Sequence, residues 1–159
     1  GLAVAAITKS IDPYDALVVR QSSVPTLSVV EGLVSKGNLK LGELRNGAQI
    51  GVSSLRRKTQ LKKYRDDLQI VDIRGNIQER LERLDKDGLD AIIVASCALV
   101  RLGLEDRIAQ RIPFEILRPH PLQGSLAIEV RRDNRELRDL LSVLNNFDKD
   151  GIALNHKMS

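Results

Sequence analysis

The sequence predicts an α/β fold: a mostly parallel sheet flanked by helices, with segments of a neighbouring, similar domain on either side. Three observations point there. In the middle of the chain, short apolar runs alternate with stretches of helical spacing three times over, the rhythm of parallel strands joined by crossover helices. Hydrophobic residues make up 42% of the 159 and charged residues 29%, a globular balance that argues against disorder and against collagen-like or coiled-coil designs. No apolar run approaches the roughly 20 residues that a membrane-spanning helix needs.

Taken in order, residues 2–8 read as a strand, the turn Asp12-Pro13-Tyr14-Asp15 follows, and residues 16–19 form a second strand. Residues 1–20 are assigned to the first domain. Residues 21–46, rich in Ser, Gly and Val, read as an irregular linker or insertion with one strand near 27–30. The second α/β domain runs over 21–124. Within it, 48–52 is a short apolar strand, 55–64 a basic helix carrying Leu55 and Leu61, and 68–73 an alternating strand. Asn76 followed three residues later by Glu79 marks a helix start, Ile77, Leu81 and Leu84 keep the helical period, and Gly88 ends it. Residues 90–95 read as a buried strand, and Ala98, Leu99 and Leu102 as a helix that stops at Gly103. Residues 125–147 return to the first domain, with a strand at 125–130 and an amphipathic helix at 135–144.

Charge narrows the partners. Lys and Arg number 25 against 21 Asp and Glu, a net charge of +4. That excess is modest for a nucleic-acid binder, and 3% aromatics with no Trp argue against a base-stacking platform. Sixteen of the 25 cations are arginine, whose planar fork suits carboxylate and phosphate, so a small acidic ligand fits best. The single cysteine, Cys97, excludes an internal disulfide and a cysteine-rich metal site, and its place after a buried strand makes it a packed small side chain. Two distant histidines make no metal motif, and no metal site is expected. Asp12 and Asp15 read as caps of their own turn. The apolar start has no basic region before it and is a poor signal peptide, so a cytoplasmic protein is expected, or an organellar one if a transit peptide was removed. A start on Gly and an end without a closing element suggest a piece of a longer chain.

Open α/β sheets bind ligands beyond the carboxyl ends of their strands. Three strand-to-helix junctions fall on that edge: Val52-Ser53-Ser54-Leu55-Arg56-Arg57, Ile73-Arg74-Gly75-Asn76 and Ala95-Ser96-Cys97. Arg56 and Arg57 sit in the first turn of their helix, where the macrodipole disfavours cations by about 0.3–1 kcal/mol each. A bound carboxylate or phosphate is the expected compensation. Lys58, Lys62, Lys63 and Arg65 lie further along and read as a solvated basic face. Arg80 and Arg101 have acidic neighbours, Glu79 or Asp85 and Glu105, as their simplest partners.

These motifs, followed by 99–104 (LVRLGL) and 123–131 (QGSLAIEVR), resemble the porphobilinogen deaminase (hydroxymethylbilane synthase) family from about Gly1 to Asn146. The resemblance implies periplasmic-binding-protein-like domains, a third domain toward which residues 148–159 begin a linker, and a monomeric full-length protein. It implies a transferase of haem and tetrapyrrole biosynthesis that condenses four porphobilinogen units with loss of ammonia, binding polypyrrole intermediates but neither nucleic acid nor membrane. A dipyrromethane cofactor, attached to a cysteine beyond this chain, is implied too. By matching position, Ser53, Ser54, Arg56, Arg57, Arg74, Gly75, Asn76, Arg80 and Arg101 would hold cofactor and substrate carboxylates, and Gln123 and Gly124 would belong to the interdomain hinge. The family's catalytic aspartate lies upstream of Gly1, so no catalytic residue is assigned here and residues 1–159 alone are expected to lack turnover. Val52 stands where the family has Thr, and Pro121-Leu122 where it has Val-Gly. Two other readings stay open: a non-catalytic polycarboxylate-binding module, and a basic module that binds nucleic acid through residues 58–65.

Overall fold

The computed structural model describes residues 1–20 and 39–145, so the strand expected at 27–30 and the linker at 148–159 lie outside the described residues. In chain order the strands are β1 (Leu2–Ile7), β2 (Asp15–Val19), β3 (Gln49–Val52), β4 (Gln69–Asp72), β5 (Ala91–Ala95), β6 (Gln110–Ile112) and β7 (Ala127–Arg131). The α-helices are α1 (Leu55–Tyr64), α2 (Ile77–Lys86), α3 (Ser96–Arg101) and α4 (Arg135–Leu141), with short 3-10 turns at Leu41–Glu43, Glu105–Arg107 and Ser142–Leu144. The chain divides into two compact units, Pro13–His120 and a smaller one joining Gly1–Asp12 to the chain from Pro121 onward.

The larger unit is a five-stranded sheet of order β4-β3-β5-β2-β6. β3 pairs in parallel with both β4 and β5, while β2 runs antiparallel to β5 and β6. Four strands therefore point one way and β2 alone is reversed, so the sheet is mostly parallel. β2 corrects the expected division of the chain, which placed residues 1–20 with the first domain. All five residues of β2 are buried, and the strand fills the gap between β5 and β6. A strand buried on both faces has to lie inside a sheet, so the boundaries fall at Asp12/Pro13 and His120/Pro121.

Alternation along the strands sorts the core into two layers. Leu17, Val19, Ala91 and Ile93 face one side with Leu61 of α1 and Leu41 and Leu44 of the first 3-10 turn. Ala16, Val18, Ile92 and Val94 face the other with Leu81 and Leu84 of α2 and Leu99 of α3. The helices start where the sequence places caps. Ser54 Oγ accepts from Arg57 N at 3.1 Å to open α1, and Asn76 and Glu79 make a reciprocal capping box on α2.

In the smaller unit β1 and β7 pair antiparallel from Leu2↔Arg131 to Ile7↔Ala127. The amphipathic helix expected at 135–144 is α4 followed by a single 3-10 turn, and Leu137, Leu140, Val143 and Leu144 are exposed. Among the described residues no helix is long and apolar enough to cross a membrane.

Candidate functional site

The carboxyl ends of β3, β4 and β5 and the amino end of β2 meet at one edge of the larger sheet. The register fixes this: Val52 is opposite Asp72, and Asp15 is opposite Ala95. The helices α1, α2 and α3 leave from the same edge, so the three junctions converge as expected from the parallel topology.

Arg80 ties two of those junctions together. From the first turn of α2 its Nε donates to the Gly75 carbonyl at 2.7 Å and its Nη1 to Ser53 Oγ at 3.0 Å. Neither acidic neighbour expected for it, Glu79 or Asp85, pairs with it, and among the described residues no carboxylate does. Burial lowers its pKa, and the like charges of Arg57 and Arg74 push it further the same way. Half-buried positive charge without a counter-carboxylate among the described residues makes this edge a candidate anion site.

Gly75 makes the turn that brings this about. Its φ is +106°, and a Cβ there would lie 2.3 Å from Glu79 Oε2. Glu79 cannot withdraw cheaply, because that oxygen accepts from Asn76 N at 2.7 Å in the capping box. Asn76 Oδ1 accepts in turn from Glu79 N at 2.9 Å, so Asn76 serves the helix start. Ser54 does the same for α1, leaving Ser53 as the hydroxyl of that junction bonded to an arginine.

Arg56 and Arg57 overturn the expectation that their compensation has to come from a bound ligand. Asp15, fully buried at the start of β2, accepts from Arg57 Nε at 3.0 Å and Nη2 at 2.7 Å through Oδ1, and from Arg56 Nη2 at 3.0 Å through Oδ2. The same contacts correct the reading of Asp15 as a turn cap: it is a strand residue that neutralises the start of α1. A carboxylate removed from water is retained only when paired in this way. Arg57 is buried, whereas Arg56 keeps 29% of its side chain exposed. Arg56 Nη1 also donates to the Arg118 carbonyl, and Gln60 holds the same backbone through Arg118 N at 2.8 Å.

The remaining candidates separate. Arg74 is exposed and pairs with Asp72 at 3.2 Å. Lys58 pairs with Asp72 at 2.5 Å, and chiefly that hydrogen bond holds the Asp72 carboxyl below the usual range. Lys62, in the last turn of α1, donates through Nζ to the Asp66 and Leu68 carbonyls of the segment that follows the helix. Arg101 closes α3, and its expected partner Glu105 bonds Arg111 at 2.6 Å. Gln123 and Gly124 lie in the smaller unit: the Gln123 carbonyl accepts from Ser10 Oγ at 2.7 Å and the Gly124 carbonyl from Ile11 N at 3.3 Å. With φ +89°, Gly124 lets these segments cross so closely that a Cβ would lie 2.4 Å from Ser10 Oγ. Val52 is fully buried in the core and packs against apolar neighbours. Cys97 is buried.

Sequence reasoning missed Asp15 and the pair Gln60–Arg118. A signal for Asp15 was present: an acidic residue opening the apolar run Asp15-Ala16-Leu17-Val18-Val19 needs a cation once that strand is buried. The edge as a whole gathers guanidinium and hydroxyl groups, a donor set chemically suited to anions.

Residues 1–139 match the family model described as porphobilinogen deaminase, dipyromethane cofactor binding domain. Porphobilinogen deaminase of Natranaerobius thermophilus is 44% identical over 148 residues, covering 92% of this chain and 42% of that protein. The protein of the same name from Pelotomaculum thermopropionicum is 41% identical over 146 residues, with 92% and 42% covered. The chain thus spans about two-fifths of the length of these curated relatives. Among solved structures it is similar to a Salmonella typhimurium periplasmic binding protein of high arginine specificity, 16% identical with a TM-score of 0.46, covering 87% of this chain and 57% of that one.

Proposed function

This chain belongs to the porphobilinogen deaminase family, and from that premise we propose that the protein containing it is a hydroxymethylbilane synthase, condensing four porphobilinogen units with loss of ammonia. The observation that carries the reading is Arg80. Its guanidinium bridges Ser53 and Gly75 at the sheet edge and has no carboxylate partner among the described residues. Porphobilinogen carries an acetate and a propionate group, the planar anions that an arginine fork recognises.

The donor set also fits a dipyrromethane, which bears the same two kinds of acid side chain on each ring. When bound, that group supplies the covalent anchor for the growing chain. Arg80, Arg56, Arg74 and the Ser53 hydroxyl would hold its carboxylates and those of the incoming substrate. Arg57, buried on Asp15, and the caps Ser54 and Asn76 would support that surface from behind, and Gly75 would keep its backbone open to the ligand. Arg101, Gln123 and Gly124 enter the proposal through their positions in the family's motifs. Each arginine–carboxylate contact, as a hydrogen bond between charged groups, is worth about 1.5–3 kcal/mol. The chain's role in this scheme is to bind and orient acidic pyrroles so that reacting carbons are held in register.

The test is to incubate the intact protein with porphobilinogen and follow ammonia and bilane release, with a protein mass spectrum alongside. The expected result is bilane formation by a protein carrying the mass of two pyrrole units. Binding without bilane would contradict the synthase and leave a polycarboxylate-binding module.

A further inference from the structure

We infer that Asp15 is a positioning residue for this site: it fixes the guanidinium of Arg56 so that the exposed part of that side chain meets ligand carboxylates already oriented. The inference rests on the anion-binding reading of the sheet edge given above.

The geometry divides the two arginines. Arg57 gives Asp15 two hydrogen bonds, both to Oδ1 and both buried, and stays behind the surface. Arg56 donates to Oδ2 and, through another N–H, to the Arg118 carbonyl, while 29% of its side chain remains accessible. A guanidinium has five N–H donors. Acceptors on different elements, β2 and the loop after β6 among them, set both the position and the plane of the Arg56 fork. An arginine held this way loses little rotamer entropy on binding, and preorganisation of that kind raises affinity without adding a contact. Gln60 secures the second acceptor by accepting from Arg118 N at 2.8 Å and donating to the Arg118 carbonyl at 3.3 Å.

Asp15→Asn tests this with little change in shape. An amide offers one oxygen where the carboxylate offers two. Arg57, buried and doubly bonded, keeps that oxygen, and the new NH2 group faces Arg56 as donor against donor. In the intact protein, D15N is expected to raise the KM for porphobilinogen about tenfold with kcat within about threefold, the loss of one oriented charged contact. Because Asp15 acts through Arg56, the double variant D15N/R56Q is expected to be no worse than R56Q alone. An unchanged KM in D15N, or losses that add in the double variant, would overturn the inference. Arg80→Gln in the same assay separates the two levels: no effect there contradicts the site itself, whereas a loss there with none in D15N contradicts Asp15 alone. A measurement on the unaltered protein needs no variant to fold. Nitrogen NMR of Arg56 is expected to show slowed rotation about Cζ–Nη with resolved Nη protons, and freely averaged signals would overturn the inference.

Discussion

Single arginines on this chain differ in what accepts their N–H groups, and that decides what each can do. Arg65 is fully occupied: it donates to Asp67 and to the Leu41 and Leu44 carbonyls, fastening the first 3-10 turn to the end of α1. The Arg65 hydrogen bond, with the Gly47 amide, holds the Asp67 carboxyl at about 2 against an ordinary 3.8. A depressed folded-state pKa means that the folded protein binds fewer protons than the unfolded chain in that window. The stabilisation is present above about pH 3.8 and is lost as pH falls through about 2. Asp67→Asn is therefore expected to flatten the fall of the denaturation midpoint between pH 4 and 2. Denaturation curves at several pH values check it, and an equally steep fall in the variant would contradict the pairing. Arg80 is the opposite case, with backbone and hydroxyl partners and no carboxylate partner among the described residues.

At the scale of elements, α2 joins the proposed binding edge to the start of a helix. Its capping box forms over Gly75, and the same Gly75 presents its carbonyl to Arg80. Asn76→Ala removes one cap and is expected to cost about 0.5–2 kcal/mol in chemical denaturation. Gly75→Ala forces a side chain into a left-handed backbone against Glu79, and is expected to cost about 1–3 kcal/mol and to weaken ligand binding as well. A Gly75→Ala protein as stable and as tight-binding as the parent would refute that coupling. α2 was legible because every signal for it is local: Asn76, Glu79, the Ile77–Leu81–Leu84 spacing and Gly88 lie within thirteen residues. β6 was not, because its three residues Gln110-Arg111-Ile112 carry one buried side chain and too little pattern to see. β2 was recognised as a strand but assigned to the wrong unit, since its neighbours β5 and β6 come some 75 to 95 residues later. Sequence alternation shows that a strand exists and leaves open which sheet takes it.

At the scale of the whole molecule, the parallel order of β3, β4 and β5 brings residues 53, 75 and 80 to one edge. That convergence was readable from the strand–helix rhythm alone. The partner of Arg56 and Arg57 was hidden because it lies about 40 residues earlier, on a strand that reaches the same edge by running the other way. The central claim is that this edge holds the carboxylates of acidic pyrroles, with Arg80 as its uncompensated cation. The most direct measurement is porphobilinogen turnover by the intact protein beside its Arg80→Gln variant, with circular dichroism to establish that both fold. Loss of one charged contact, about 1.5–3 kcal/mol, predicts a fall in kcat/KM of about tenfold to a hundredfold. A folded Arg80→Gln protein with unchanged kcat/KM would contradict the account.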